Sequence, residues 1–126
     1  MLLSRAALQK RKPARAGRPA WKTEIQYKRW LRKLPCACCG QLDGGLRDPI
    51  VAAHVDHAGK GTRDAKGIGS KAADKFCIPL LDSCHKRQHT LGWKSFEKHL
   101  PGGDAEVLAN EYFERWLATD GRERDQ

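Results

Sequence analysis

Apolar positions along the chain switch between helical and strand-like spacing, and the switches mark out its elements. From Trp21 to Leu34 the residues Trp21, Ile25, Tyr27, Trp30, Leu31 and Leu34 recur mostly at helical intervals, and Pro35 ends the run. Ile50 to Val55 is a short apolar run that predicts a strand delivering His54, with Asp56 and His57 just past its end. Lys75 to Leu80 predicts a second strand. Asp82 or Ser83 then caps a helix that carries His85 and His89 four residues apart, hence on one face. Gly92 supplies its stop. Trp93, Phe96 and Leu100 mark a short amphipathic segment, broken by Pro101-Gly102-Gly103. Asp104 caps a last helix whose stripe is Ala105, Leu108, Tyr112, Phe113, Trp116 and Leu117, a core element with no chemistry to offer.

The rest of the chain has no such pattern. Residues 4–20 lack an apolar face and carry two prolines and a glycine, so residues 1–20 read as a mobile basic arm and 119–126 as a polar tail. Residues 58–71 contain four glycines and four Lys/Arg, which suits a loop whose backbone comes close to something, or a disordered surface loop. The expectation is one α+β domain over 21–118, with a modest core for a chain of 126 residues.

Charge changes the picture. Of the net +9, residues 1–35 hold eleven Lys/Arg against the single acid Glu24, and residues 36–126 hold thirteen against fourteen. The basic character belongs to the N-terminal arm, which favours a polyanion: nucleic acid first, anionic lipid or bare solubility otherwise. No run approaches the length needed to span a bilayer, and Met1-Leu2-Leu3 is too short for a signal core, so the expected compartment is the cytoplasm with no membrane partner. Five cysteines are an odd number, and Cys36, Cys38 and Cys39 are too crowded for an ordinary disulfide framework.

Two clusters carry candidate chemistry. Cys36 and Cys39 form a Cys-x-x-Cys pair whose thiolates can reach one zinc from a tight turn. Cys84 is the natural third ligand and Cys77 the candidate fourth, although Leu81 stands where a partner of Cys84 is expected. The alternative is a set of reduced thiols packing as small hydrophobes. The histidines are more pointed: four of the five lie between Ile50 and His89. His85 and His89, with a third histidine and the Asp56 carboxylate from the strand end, can enclose a divalent metal. A histidine free of that metal can accept a proton from water near neutral pH.

The order Cys-x-x-Cys, then A-A-H-V, then a Gly-rich loop with K-A-A-D, then P-L-x-x-x-C-H-x-x-x-H resembles the HNH nuclease superfamily. The likeness is nearest to phage- and prophage-type proteins of the recombination-enhancement nuclease and DUF968 kind, and it covers about residues 35–99. It implies a small ββα-metal unit with a zinc knuckle, flanked by N- and C-terminal helices, that nicks or cuts DNA. It implies His54 as the activator of water, His85 and His89 as metal ligands, Asp74 as a residue orienting the site or touching the metal, and Cys36, Cys39 and Cys84 as the knuckle. Ala53 departs from the family, where Asp or His often precedes the general base. A second register therefore makes Asp56 a ligand and His57 the base, and the first is preferred because His54 lies within the strand.

The function this implies is metal-dependent DNA endonuclease activity, with Mg²⁺ or Mn²⁺, or else Zn²⁺ or Ni²⁺, at the active site and a separate structural Zn²⁺. Lys60, Arg63, Lys66, Lys71, Lys86 and Arg87 are the candidate phosphate contacts. Phosphate contacts alone do not distinguish DNA from RNA. The resemblance adds a recombination protein as a conceivable partner and leaves the oligomeric state open. The rival expectation is a non-catalytic zinc-knuckle nucleic-acid-binding protein whose histidines complete structural metal sites.

Overall fold

The computed structural model describes residues 24–66 and 71–119. The expected arm, the start of the first expected helix, residues 67–70 of the loop and residues 120–126 of the tail lie outside that range. The described chain is a small α+β structure of two antiparallel strands and four helices: α1 (Ile25–Leu31), β1 (Ile50–His54), β2 (Cys77–Leu81), α2 (Asp82–Leu91), α3 (Trp93–Phe96) and α4 (Ala105–Leu117).

The strands pair in a register that sets Ile50 opposite Leu81 and His54 opposite Cys77. Side chains alternate across a strand, so each strand divides its residues between two faces. Ala53, Ile78 and Leu80 join the main core with Phe96, Trp93 and Leu108. On the opposite face Cys77 meets Tyr27, Leu31 and Trp116, with Ala52 packed against them. Tyr27 and Leu31 are four apart on α1, and the Tyr27 hydroxyl donates to the Cys77 carbonyl at 3.0 Å. Pro79 sits opposite Ala52, and its carbonyl accepts the Ala37 N–H at 2.8 Å. Its missing donor therefore points away from β1 and costs the ladder nothing.

Several boundaries differ from the expectation. Helix α1 buries only Tyr27 and Leu31 of its apolar positions, and Ile25 is exposed. The second strand begins at Cys77 rather than Lys75, because Asp74–Phe76 winds into a 3₁₀ turn. Neither Asp82 nor Ser83 caps α2; Asp48 reaches across from the loop before β1 and accepts from Ser83. Gly92 ends α2 at φ 81°, a conformation costly for residues with a Cβ, and Asp104 caps α4 by accepting from the Val107 N–H. Leu117, expected on the core stripe of α4, is exposed.

Residues 58–66 of the Gly-rich loop pack against the domain, with Ala58 buried. Gly59 comes so close to Phe76 that a Cβ there would lie 2.7 Å from the ring, which is the close approach its composition suggested. The Gly59 N–H donates to Glu106 of α4, and the Lys75–Asp64 pair at 2.8 Å ties the loop to the approach of β2.

Candidate metal centre and catalytic cleft

The end of β1 and one face of α2 meet across a cleft of about 160 Å³. His54 and Asp56 stand on the strand side, His85 and His89 on the helix side, and Lys66 and Lys71 at the loop. The i, i+4 spacing brings the Nε2 atoms of His85 and His89 to 3.2 Å. Two nitrogens each about 2.1 Å from one ion stand roughly 3.0–3.4 Å apart, so the pair fits a shared divalent cation. Burial and the facing His89 ring hold the pKa of His85 below the ordinary histidine value, against a smaller opposing effect of Asp82. The neutral imidazole is the form that ligates metal.

His54 is fixed from behind. Its Nε2 lies 2.8 Å from Oδ1 of Asp74, which is 1% exposed. The other carboxylate oxygen accepts the Glu24 N–H at 3.0 Å and lies 3.5 Å from the Lys28 ammonium. Asp74 opens the 3₁₀ turn that displaced the start of β2, so the local winding is what aims its carboxylate at His54. With Nε2 engaged by a carboxylate, Nδ1 is the His54 nitrogen left to accept a proton. Lys28 and the Glu24 amide went unnoticed in the sequence. Lys28 is one basic residue among several on a basic helix, and its partner lies far along the chain.

His57 lies elsewhere. It lines a neighbouring pocket, with its Nε2 3.5 Å from Glu97 Oε2 and its ring set edge-on to Trp93. Asp56 borders both spaces. Among the predicted phosphate contacts, Lys66 and Lys71 are at the cleft and Lys60 is at the neighbouring pocket. Lys86 pairs with Asp82 one turn back, and Arg63 lies beside Asp64. Arg87 is turned to the knuckle, donating to Cys38 Sγ at 3.3 Å and covering the Phe96 ring.

Cys36, Cys39 and Cys84 bring their ligand atoms within 4.8 Å of one another. Sulfurs bound to one zinc stand about 3.8 Å apart, given Zn–S bonds of about 2.3 Å, so the three thiols fit such an ion. Burial alone would raise the pKa of Cys36, yet the main-chain amides of Cys39, Leu81 and Cys38 near its sulfur outweigh burial and bring the net shift down. Burial and the neighbouring Cys36 and Cys39 sulfurs push Cys84 up, a repulsion that a cation would relieve. Cys77 is a correction: its sulfur falls in a different group, with His54 and Asp74. It begins β2, and Cys84 follows the strand's other end, about 13 Å away at the rise of an extended chain. The three thiols could hold a metal, as could the His54, Asp74 and Cys77 group, whereas among the described residues His85 and His89 meet as a pair, with neither His54 nor Asp56 drawn into a group of three around them.

No helix among the described residues is long and apolar enough to cross a membrane. No solved structure matches the chain. A segment covering 58% of it is 38% identical, over 73 residues, to an Escherichia coli (strain K12) protein named "Uncharacterized protein YdfU". That segment spans only 18% of the relative's length. The family described as "Protein of unknown function (DUF968)" matches residues 11–118, so the match takes in the knuckle, both strands and the histidine helix. The chain belongs to the DUF968 family.

Proposed function

We propose that this chain is a metal-dependent DNA endonuclease of the HNH type, with β1, β2 and α2 as its ββα-metal unit. One observation carries the reading. A single cleft has on one wall a histidine held by a buried carboxylate, and on the other two imidazoles with facing Nε2 atoms. His85 and His89 would hold a divalent cation, which would supply positive charge for the scissile phosphate and for the leaving oxygen. His54 takes a proton from the attacking water at Nδ1, and Asp74 holds the ring and stabilises the imidazolium. The water oxygen bonds phosphorus as the bond to the leaving sugar oxygen breaks. Lys66 and Lys71 steady the phosphates beside it. Asp56 adds a carboxylate oxygen to the donors available at the cleft wall.

The thiol group favours a second reading, a non-catalytic zinc-knuckle protein that binds nucleic acid. Supercoiled plasmid with Mg²⁺ or Mn²⁺ separates the two. The wild-type protein should nick it, and His54→Ala should lose at least about 100-fold in rate while still binding DNA, the low end for a general base. Failure of the wild type to cut duplex, single-stranded or branched DNA, or RNA, with Mg²⁺, Mn²⁺, Ni²⁺ or Zn²⁺ would hand the chain to the binding module.

A further inference from the structure

The pocket that holds His57 has a volume of about 540 Å³ and shares Asp56 and Lys66 with the catalytic cleft. We propose that it receives one nucleotide displaced from its strand, beside the phosphate that lies in the cleft. The inference rests on the nuclease reading and names the substrate class of that site: DNA with an unpaired nucleotide next to the position cut.

The size is right for a nucleotide, since small-molecule sites commonly enclose about 300–1,000 Å³. One wall is aromatic and braced. The His57 ring stands edge-on to Trp93 at 6.3 Å, and Trp93 stands edge-on to Phe96 at 5.9 Å. The Trp93 and Phe96 rings are buried, and the His57 side chain is 35% exposed, so a rigid stack presents one accessible ring to the pocket. Every base has a π face that can lie on such a ring.

The charges point the same way. Lys60, Lys66 and Lys94 supply cations for a phosphate, but Asp56 and Glu97 stand among them. A groove for the sugar-phosphate backbone alone is weakened by two carboxylates. A base has N–H and amino donors for them. The Glu97 carboxylate is also held in place, because its Oε2 accepts the Ala105 N–H at 3.0 Å at the start of α4. A base paired inside a duplex cannot reach such a pocket, and extrusion costs least where the nucleotide is already unpaired.

The experiment uses fluorescein-labelled DNA and anisotropy, without Mg²⁺ or Mn²⁺ so that nothing is cut. The probes are a fully paired duplex, the same duplex with one unpaired thymidine, and the same duplex with an abasic residue at that place. The wild type should bind the unpaired thymidine at least about fivefold more tightly than the paired or abasic probe, the lower end for one base–aromatic contact. His57→Ala should abolish that preference while its affinity for the paired duplex is unchanged. Lys94→Ala, at an exposed position, should weaken binding of the thymidine probe without disturbing the fold. Circular dichroism checks both variants. Equal affinity of the wild type for all three probes, or a preference that survives in His57→Ala, would overturn the proposal. A preference for the unpaired thymidine in a protein that cuts nothing would instead refute the nuclease reading and leave the nucleotide site standing.

Discussion

Asp48 and Ser83 are joined twice: Oδ1 accepts the Ser83 N–H at 2.8 Å, and Oδ2 accepts its hydroxyl at 2.6 Å. The contact caps the helix that carries His85 and His89 from a loop before β1, so the histidine face depends on chain that precedes the first strand as well as chain that follows the second. These hydrogen bonds, from the side chain and then the backbone of Ser83, hold the Asp48 carboxyl below the usual carboxylate range. A depressed carboxylate contributes stability above its unfolded pKa and loses it as pH falls through the folded one. Asp48→Ala should therefore lower the melting temperature at pH 7, and the gap from wild type should close as the pH is taken below about 4, the ordinary aspartate range. A gap that stays constant down to pH 2 would show that the carboxylate charge is not what caps the helix.

Lys28 should matter to a site it does not line. Its ammonium lies 3.5 Å from a carboxylate that is 1% exposed. Lys28→Met should cost about 1–3 kcal/mol, the range for leaving a buried polar group short of a partner. Lys28→Arg should recover part of it. Urea unfolding reads both, and a Met variant as stable as wild type would mean that the other partners of Asp74 hold it without the ammonium.

Replacing either helix imidazole tests the metal. His85→Ala or His89→Ala should abolish Mg²⁺- or Mn²⁺-dependent nicking and leave the circular dichroism spectrum near that of wild type, because His85 is half-buried and His89 exposed. Undiminished cleavage by His89→Ala would remove the pair from the site.

The thiols should govern folding and not the chemical step, since the binding energy of a structural zinc enters the stability of the folded state. Elemental analysis should find about one zinc per chain, the ratio for one knuckle. Cys36→Ser and Cys84→Ser should lose it and melt at lower temperature. Cys77→Ala should keep the zinc and loosen the packing around Tyr27 and Trp116, where that side chain is buried. Zinc lost from Cys77→Ala as well would reinstate it as a ligand.

What the sequence revealed and what it hid follow from the range of the forces involved. The run from Ile50, the glycine stop at Gly92 and the Asp104 cap rest on neighbours a few residues apart, and each can be read locally. The spacing of His85 and His89 is equally local. The Asp48 cap and the Lys28–Asp74 pair join distant segments, and nothing near either residue marks it out. Residues with a cap's chemistry, Asp82 and Ser83, stood in the obvious place, and the long-range partner took the role. Cys77 misled for a related reason: counting cysteines ignores that a strand carries its two ends apart. The second pocket was hidden because His57 lies in the loop after β1 while Trp93 and Glu97 lie on and just after α3, and only the fold brings that loop to that helix.

Pro79 has a further consequence for how these molecules meet one another. A short sheet usually presents an open row of main-chain donors and acceptors to any passing strand. Along the outer side of β2 the proline offers no donor, and its carbonyl is already taken by Ala37 of the cysteine turn. A second chain finds no template there, so growth of a continuous intermolecular sheet is blocked along that border. The turn that gathers the thiols thus also closes this border of the sheet to an added strand.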